Sequence, residues 1–242
     1  MWEFTPELLV ILGAFLAAFV VGAAGFGDAL VAAGLWLHFL PPVEAAPLIV
    51  MTGLCIHAIA LWRLWGHLDF THLAPFLGLG VLGVPLGTWA LAHLAAEPFK
   101  LAVGGFLIAY GGGLLVFRNP PRIGAGGRTL DAVAGGIGGV LGGLAGMSGA
   151  VPAVWCGLRG WPRDRARGVS QPYILVMHAL SLAAMAYAGL LTPRVTATFV
   201  WAVPAIVIGT SAGIALYRRL DESLFRRLVL VVLTAAGATL IV

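Results

Sequence analysis

The stretch Gly143–Pro152, GLAGMSGAVP, sets a serine among glycines inside a very apolar chain. Ser148 could there do either of two kinds of chemistry. With His178 it could form a nucleophile–base dyad, the imidazole taking the hydroxyl proton while backbone amides stabilise an oxyanion. Alternatively, Gly146-Met147-Ser148-Gly149 is a break between two half-helices, whose unpaired amides and partial positive charge hold an anion without a cationic side chain. An earlier stretch, Gly22–Asp28 (GAAGFGD), offers a second break at Gly25-Phe26-Gly27-Asp28, with glycine in place of the serine and a carboxylate added.

Among the other polar side chains in apolar runs, His57, His178 and Gln171 are the candidates. Ionisable groups within a membrane are candidates for function by default, and histidine can change charge near neutral pH. The plainer reading of each histidine is a neutral ring hydrogen-bonded to a neighbouring helix. Asp28 reads either as an N-cap or as a proton acceptor. Gln171 precedes His178 by seven residues, on the same helix face, where its amide is either a donor to an anion or a structural hydrogen-bond partner. No Cys/His pair has the spacing of a metal site, and no phosphate loop with a lysine is present; no cofactor is expected.

The elements that must position these residues follow from composition. Of 242 residues, 60% are hydrophobic and 10% charged, and several nearly uncharged runs have the ~20 residues that cross a bilayer core. This predicts an all-α integral membrane protein. The net charge of +4 comes from basic residues scattered over short loops, which argues against nucleic acid as a partner and for a topological cause. Cys55 and Cys156 imply no disulfide framework. The N-terminal run lacks the positive segment of a secretory signal and is read as mature structure.

The chain duplicates itself. At an offset of 121, residues 22–61 align with 143–182 with about 12 identities, pairing Pro41 with Pro162 and His57 with His178. At an offset of 126, Gly83, Gly87, Phe99, Lys100 and Gly111 meet Gly209, Gly213, Phe225, Arg226 and Gly237. This predicts a first membrane repeat over 1–118, a linker over 119–129 and a second repeat over 130–242, an organisation known from secondary transporters. Each repeat opens with a glycine-broken segment, 8–40 or 130–158. Glycine weakens a helix by ~1 kcal/mol relative to alanine, so each cluster marks an unwound point with limbs too short to span comfortably. Three crossings follow in each half: 44–65, 73–95 and 98–117, then 166–190, 195–216 and 224–242. The other glycines, as in Gly83-x-x-x-Gly87 and Gly209-x-x-x-Gly213, suit close helix packing.

Charge decides how the broken segments run. If each crosses once, the 14 Lys and Arg divide five against nine; if each is a re-entrant hairpin, 12 fall on one side and only Lys100 and Arg194 on the other. The positive-inside rule favours a return to the same side; two complete but thin crossings would give the same division, and the hairpin reading rests also on the shortness of its limbs. With three crossings per half, the two repeats are then inverted in the membrane.

Two resemblances bear on function. Gly146-Met147-Ser148-Gly149 is similar to the G-x-S-G motif of the rhomboid intramembrane proteases. However, Gly27 stands at the equivalent position of the first repeat, and HALSLAAMAYAG after His178 lacks the small-residue spacing of that family. "GAAGFGDALVAAGL" and "GLAGMSGAVPAV…WPRDRARGVSQPYILVMH" resemble the paired glycine-rich motifs of the TauE/SafE sulfite exporter (TSUP) family across nearly the whole chain, with Val31 where the second half has Pro152. That resemblance implies a non-enzymatic, multi-pass transporter of the cytoplasmic membrane, moving sulfite, a sulfonate or a related sulfur-containing or organic anion. A passive anion channel on the same scaffold is the alternative. The candidate partners are the small anion, the bilayer, a coupled proton and a second copy of the chain in a homodimer. The substrate-binding set is Gly25, Phe26, Gly27, Asp28, Gly146, Met147, Ser148, Gly149, Gln171, His57 and His178.

The charge division predicts that reporter fusions at both termini will read as external, and that cysteines placed in loop 158–167 will react only with membrane-permeant reagents. A cytoplasmic C-terminus with an outward-facing 158–167 loop would contradict the inverted arrangement.

Overall fold

The computed structural model describes residues 6–24, 27–64, 69–116, 123, 127–217 and 222–242. Its regular structure is helical throughout: α1 (Pro6–Ala24), α2 (Asp28–Trp36), α3 (Pro42–Leu64), α4 (Phe70–His93), α5 (Ala96–Val116), α6 (Gly127–Ala145), α7 (Ala150–Leu158), α8 (Arg163–Tyr187), α9 (Pro193–Tyr217) and α10 (Glu222–Ile241). Proline opens α1, α3 and α9, where its missing N–H costs nothing. Asp69 opens α4 by accepting the amide of His72 at 3.2 Å.

Five helices are long and apolar enough to cross a membrane, over Pro42–Leu61, Phe70–His93, Ala96–Val116, Arg165–Tyr187 and Pro193–Leu216. These match five of the six expected crossings. The sixth, 224–242, lies on α10, whose apolar run Arg227–Ile241 is shorter. The expected linker falls largely outside the described residues, and α6 begins at Gly127, slightly ahead of the expected second repeat.

Both glycine clusters interrupt a helix, and in each the short second piece doubles back on the first. A Cβ on Gly13 of α1 would meet the Trp36 indole at the far end of α2. This is adjacency that only a fold-back permits, since continuation would set the two residues apart by the length of both helices. In the second pair, the Arg159 guanidinium beyond the end of α7 reaches the carbonyl of Gly127 at the start of α6 at 3.5 Å. The Trp155 indole donates to Asp131 at 2.7 Å. The sequence expectation holds for the second limbs, which are nine residues long, about 13 Å. The first limbs are longer than expected, at 19 residues each.

Around these hairpins the packing has a two-fold pattern. α1 lies along α9 and α6 along α4, while α3 packs on α8 and α5 on α10; these are the contacts that exchanging α1–α5 with α6–α10 would regenerate. Glycines set the close approaches. A Cβ on Gly83 of α4 would sit 2.5 Å from the carbonyl oxygen of Gly136, and one on Gly209 of α9 would sit 2.5 Å from that of Phe15. Backbones can approach this closely only where the contact residues are small, here glycine on one helix and glycine or Ala18 on the other. The outward faces of α4 and α9 expose Leu82, Leu86, Trp89, Val200, Trp201 and Ile208, which suits lipid and not water.

An ion pair joins the two halves at each of two places. Glu44 at the start of α3 meets Arg194 at the start of α9 at 3.8 Å. Asp69, ahead of α4, meets Arg165 at the start of α8 at 3.6 Å. Glu44 and Arg165 are mates in the duplication, so one arrangement recurs with its charges reversed. A hydrogen bond from His72 Nδ1 holds the Asp69 carboxyl below the usual carboxylate range, keeping it ionised at neutral pH.

The glycine contacts predict that Gly87→Leu, which would drive a side chain into the backbone of Val140, destabilises the protein by about 1–3 kcal/mol. Gly105→Leu, with nothing within 4 Å of its Cβ position, should not destabilise the protein and gains up to about 1 kcal/mol of helix propensity. Thermal unfolding in detergent measures both.

Candidate functional site

The two hairpin tips meet. Gly27, Asp28, Ala29 and Leu30 from the first, and Gly146, Met147, Gly149 and Ala150 from the second, line a single cavity with Ile174 of α8. The tips are built on glycine for a conformational reason: Gly27 has φ 99° and Gly146 φ 71°, values that a side chain makes costly. Gly27 is the N-cap of α2. Asp28 therefore does not cap the helix, as one reading of the sequence had it; it is the first helical residue, and its carboxylate turns inward. Val31 N bonds to Gly27 O at 3.0 Å, so the amides before it have no carbonyl of their own helix to pair with, and that of Ala29 is engaged by the Asp28 carboxylate. Gly25 and Phe26 lie outside the described residues.

Four of the expected polar side chains converge behind the tips. The carboxylate oxygen Asp28 Oδ2 lies 3.3 Å from His57 Nε2. His57 Nδ1 donates to Gln171 Oε1 at 2.6 Å, and the rings of His57 and His178 stand 5.6 Å apart between centroids. All four are buried: Asp28 is 5% exposed, His57 0%, Gln171 1% and His178 2%. The two histidines are duplication mates on helices that pack together, α3 and α8, so they face each other across the seam between the halves. Gln171 is engaged as the acceptor for His57 and orients that ring.

Ser148 is buried, with Oγ 3.5 Å from His178 Nδ1. The same nitrogen lies 2.8 Å from the carbonyl of Ile174. A carbonyl only accepts, so Nδ1 carries the ring proton and has no lone pair for the serine. His178 thus does not serve as base to Ser148 in this arrangement, which removes the dyad's first requirement. Met147 packs in the core, and its amide bonds to Leu141 O at 3.1 Å.

Two residues of the site escaped the sequence reading. Gly53 lies one turn before His57, and a Cβ there would come within 2.5 Å of His178 Nε2 and 2.6 Å of Asp28 Oδ2. Its bareness lets those two atoms approach one point. Ser181 Oγ, buried without a hydrogen-bond partner, lies beside Ser148 at the position facing Gly142. The signal available for both was helical spacing, four residues before one histidine and three after the other.

The chemistry of this site is that of an ion-handling centre. Asp28 Oδ2, His57 Nε2 and His178 Nε2 are buried without a conventional hydrogen-bond partner; the 3.3 Å pairing of the first two is an ion-pair approach and not a well-aligned hydrogen bond. Among the described residues no three such side chains are placed to hold a metal ion. The cavity between the tips is about 10 Å³, room for one water at most, so the tips are closed on each other.

No curated protein and no solved structure matches the chain. A family model described as sulfite exporter TauE/SafE matches residues 10–240. That span includes both broken helices, the seam between α3 and α8 and every residue placed at the tips. The chain, a multi-pass membrane protein with paired helix breaks at its centre, therefore belongs to the TauE/SafE sulfite exporter family of membrane transporters.

Proposed function

We propose that the protein is a secondary transporter of the cytoplasmic membrane that exports a small oxyanion, sulfite or an organic sulfonate, bound between the two hairpin tips. The observation that carries this reading is that both helix breaks line one cavity. Two helix N-termini then bring their partial positive charge to a shared point, although in the first turn of α7 the Ala150 amide is bonded to Met147 O at 3.2 Å and Pro152 has no N–H. Discontinuous helices meeting near the midplane are a recurrent way to bind substrate in transporters built from repeats. The duplication, the fold-back of α2 and α7 and the 12:2 charge division support two inverted repeats, 1–118 and 130–242, joined by the linker 119–129.

In this reading the closed cavity belongs to an occluded state. The ion pairs Glu44–Arg194 and Asp69–Arg165 sit at the ends of helices placed on opposite faces by the charge division, and they join one repeat to the other on each face. Exposed pairs of this kind contribute about 0–1 kcal/mol each, weak enough to open in turn as the repeats rock. The coupling ion assigned here is the proton, because Asp28, His57 and His178 are the titratable groups gathered beside the tips.

Purified protein in proteoliposomes should accumulate sulfite or a sulfonate against its gradient when a pH gradient is imposed. Flux that only ever runs down the anion gradient, indifferent to pH, would identify a passive anion channel. Gly27→Val and Gly146→Val force a side chain onto left-handed backbone at a cost of about 1–3 kcal/mol, and each should cut flux about tenfold or more while the protein still reaches the membrane. Normal flux in both would remove the substrate from the tips.

A further inference from the structure

The hydrogen bonds behind the tips fix which atoms can accept a proton. Gln171 Oε1 only accepts, so at 2.6 Å it assigns the His57 ring proton to Nδ1. His57 Nε2 then points at Asp28 Oδ2, 3.3 Å away. A lone pair facing a carboxylate at that separation is repulsive, and one proton held between them turns the contact into an attraction. The Ile174 carbonyl does for His178 what Gln171 does for His57: at 2.8 Å it takes the Nδ1 proton. His178 Nε2 is left as a bare acceptor, buried without a partner and turned to the space over Gly53 that Asp28 Oδ2 also borders.

The charge count follows. With one proton between Asp28 and His57 the cluster is neutral, and nothing in it attracts an anion. The titratable groups acting on His178 are Asp28 at the start of α2 and His57 on α3. Tyr173, on its own helix, is committed to the Gly135 carbonyl of α6 at 2.6 Å. From the second hairpin it meets the hydroxyl of Ser148 and the backbone carbonyl of Gly146. A second proton can therefore settle on His178 Nε2, and it gives the cluster the single positive charge that a monovalent anion needs in a low-dielectric site.

We propose that His178 Nε2 binds a proton taken from water as the anion enters between the tips, that the Asp28–His57 pair keeps its own shared proton throughout, and that Gln171 is the positioning residue that holds this division. The proposal rests on the anion reading above and adds the atom and the stoichiometry of coupling. Movement of the anion then obliges one proton to move in the same direction, so the cycle is electroneutral. Export runs on the anion's own outward gradient and is opposed by an inward proton gradient, and an empty carrier returns with His178 neutral.

The test is calorimetry of methanesulfonate binding to the full-length protein in lipid nanodiscs, run near pH 7 in buffers of different ionisation enthalpy. Methanesulfonate has no titratable proton in this range, so any proton exchange belongs to the protein. The expected result is uptake of about one proton per anion bound, with affinity falling about tenfold per pH unit on the alkaline side. His178→Gln should bind more weakly, with no proton uptake and a flat pH profile. Gln171→Leu frees the His57 ring and should change the number of protons taken up, while Gln171→Glu, which keeps an acceptor at His57 Nδ1 but adds charge, should retain uptake with an altered pH profile. Binding by the wild type with no proton exchange, or wild-type uptake in His178→Gln, would overturn this assignment and leave the anion site standing. Failure of the wild type to bind methanesulfonate, sulfite or sulfate would overturn the anion reading and this assignment together.

Discussion

A backbone amide or carbonyl buried in hydrocarbon must find a partner within the protein, because the bilayer core supplies none. A helix broken inside the membrane violates that rule unless the break faces other protein or a ligand. This chain breaks two helices, after α1 and after α6, and brings the two breaks to one cavity lined by Gly27, Gly146 and Gly149. The buried ionisable side chains Asp28, His57 and His178 stand directly behind it. The packing around the tips serves the same end. Glycine-mediated contact of α4 with α6 and of α1 with α9 holds the long limb of each hairpin, so that the short limb starts at the shared cavity.

The duplication supplies two similar tips, and the differences between them carry the chemistry. Gly27 in one half corresponds to Ser148 in the other, and Asp28 to Gly149. One tip therefore brings a carboxylate to the seam and the other brings a hydroxyl and more backbone. Similarly, His57 and His178 are mates, yet one faces Asp28 and is oriented by Gln171, while the other is oriented by its own helix through Ile174. A second carboxylate in place of Gly149 would set like charges opposite each other across the seam, and glycine at that position avoids this.

Much of this was legible in the chain. Uncharged runs of bilayer length gave five of the crossings, and glycine clusters marked the breaks; that the helices of the matched histidines pack together is seen only in the structure. The rest depends on contacts that residue types do not encode. The charge division pointed to a return of α2 along α1, but the contact that closes it, Gly13 against Trp36, carries no signal in the sequence. The part of Gly53 cannot be told from that of a packing glycine until Asp28 and His178 are found beside it. Asp28 reads as a cap because aspartate favours that position, but Gly27, able to take a positive φ, occupies it and frees the carboxylate. Ser148 and His178 are neighbours, as the spacing allowed, and it took the Ile174 carbonyl to decide the state of the ring between them.

The central claim is that the anion sits between the two helix breaks. Crystals of the protein soaked with selenate, an oxyanion whose selenium scatters anomalously, measure this directly. The account predicts an anomalous peak between the backbone amides of the α2 and α7 tips, within reach of Gly27 and Gly149. A peak only among the arginines of the loops, or between helices away from both breaks, would contradict it.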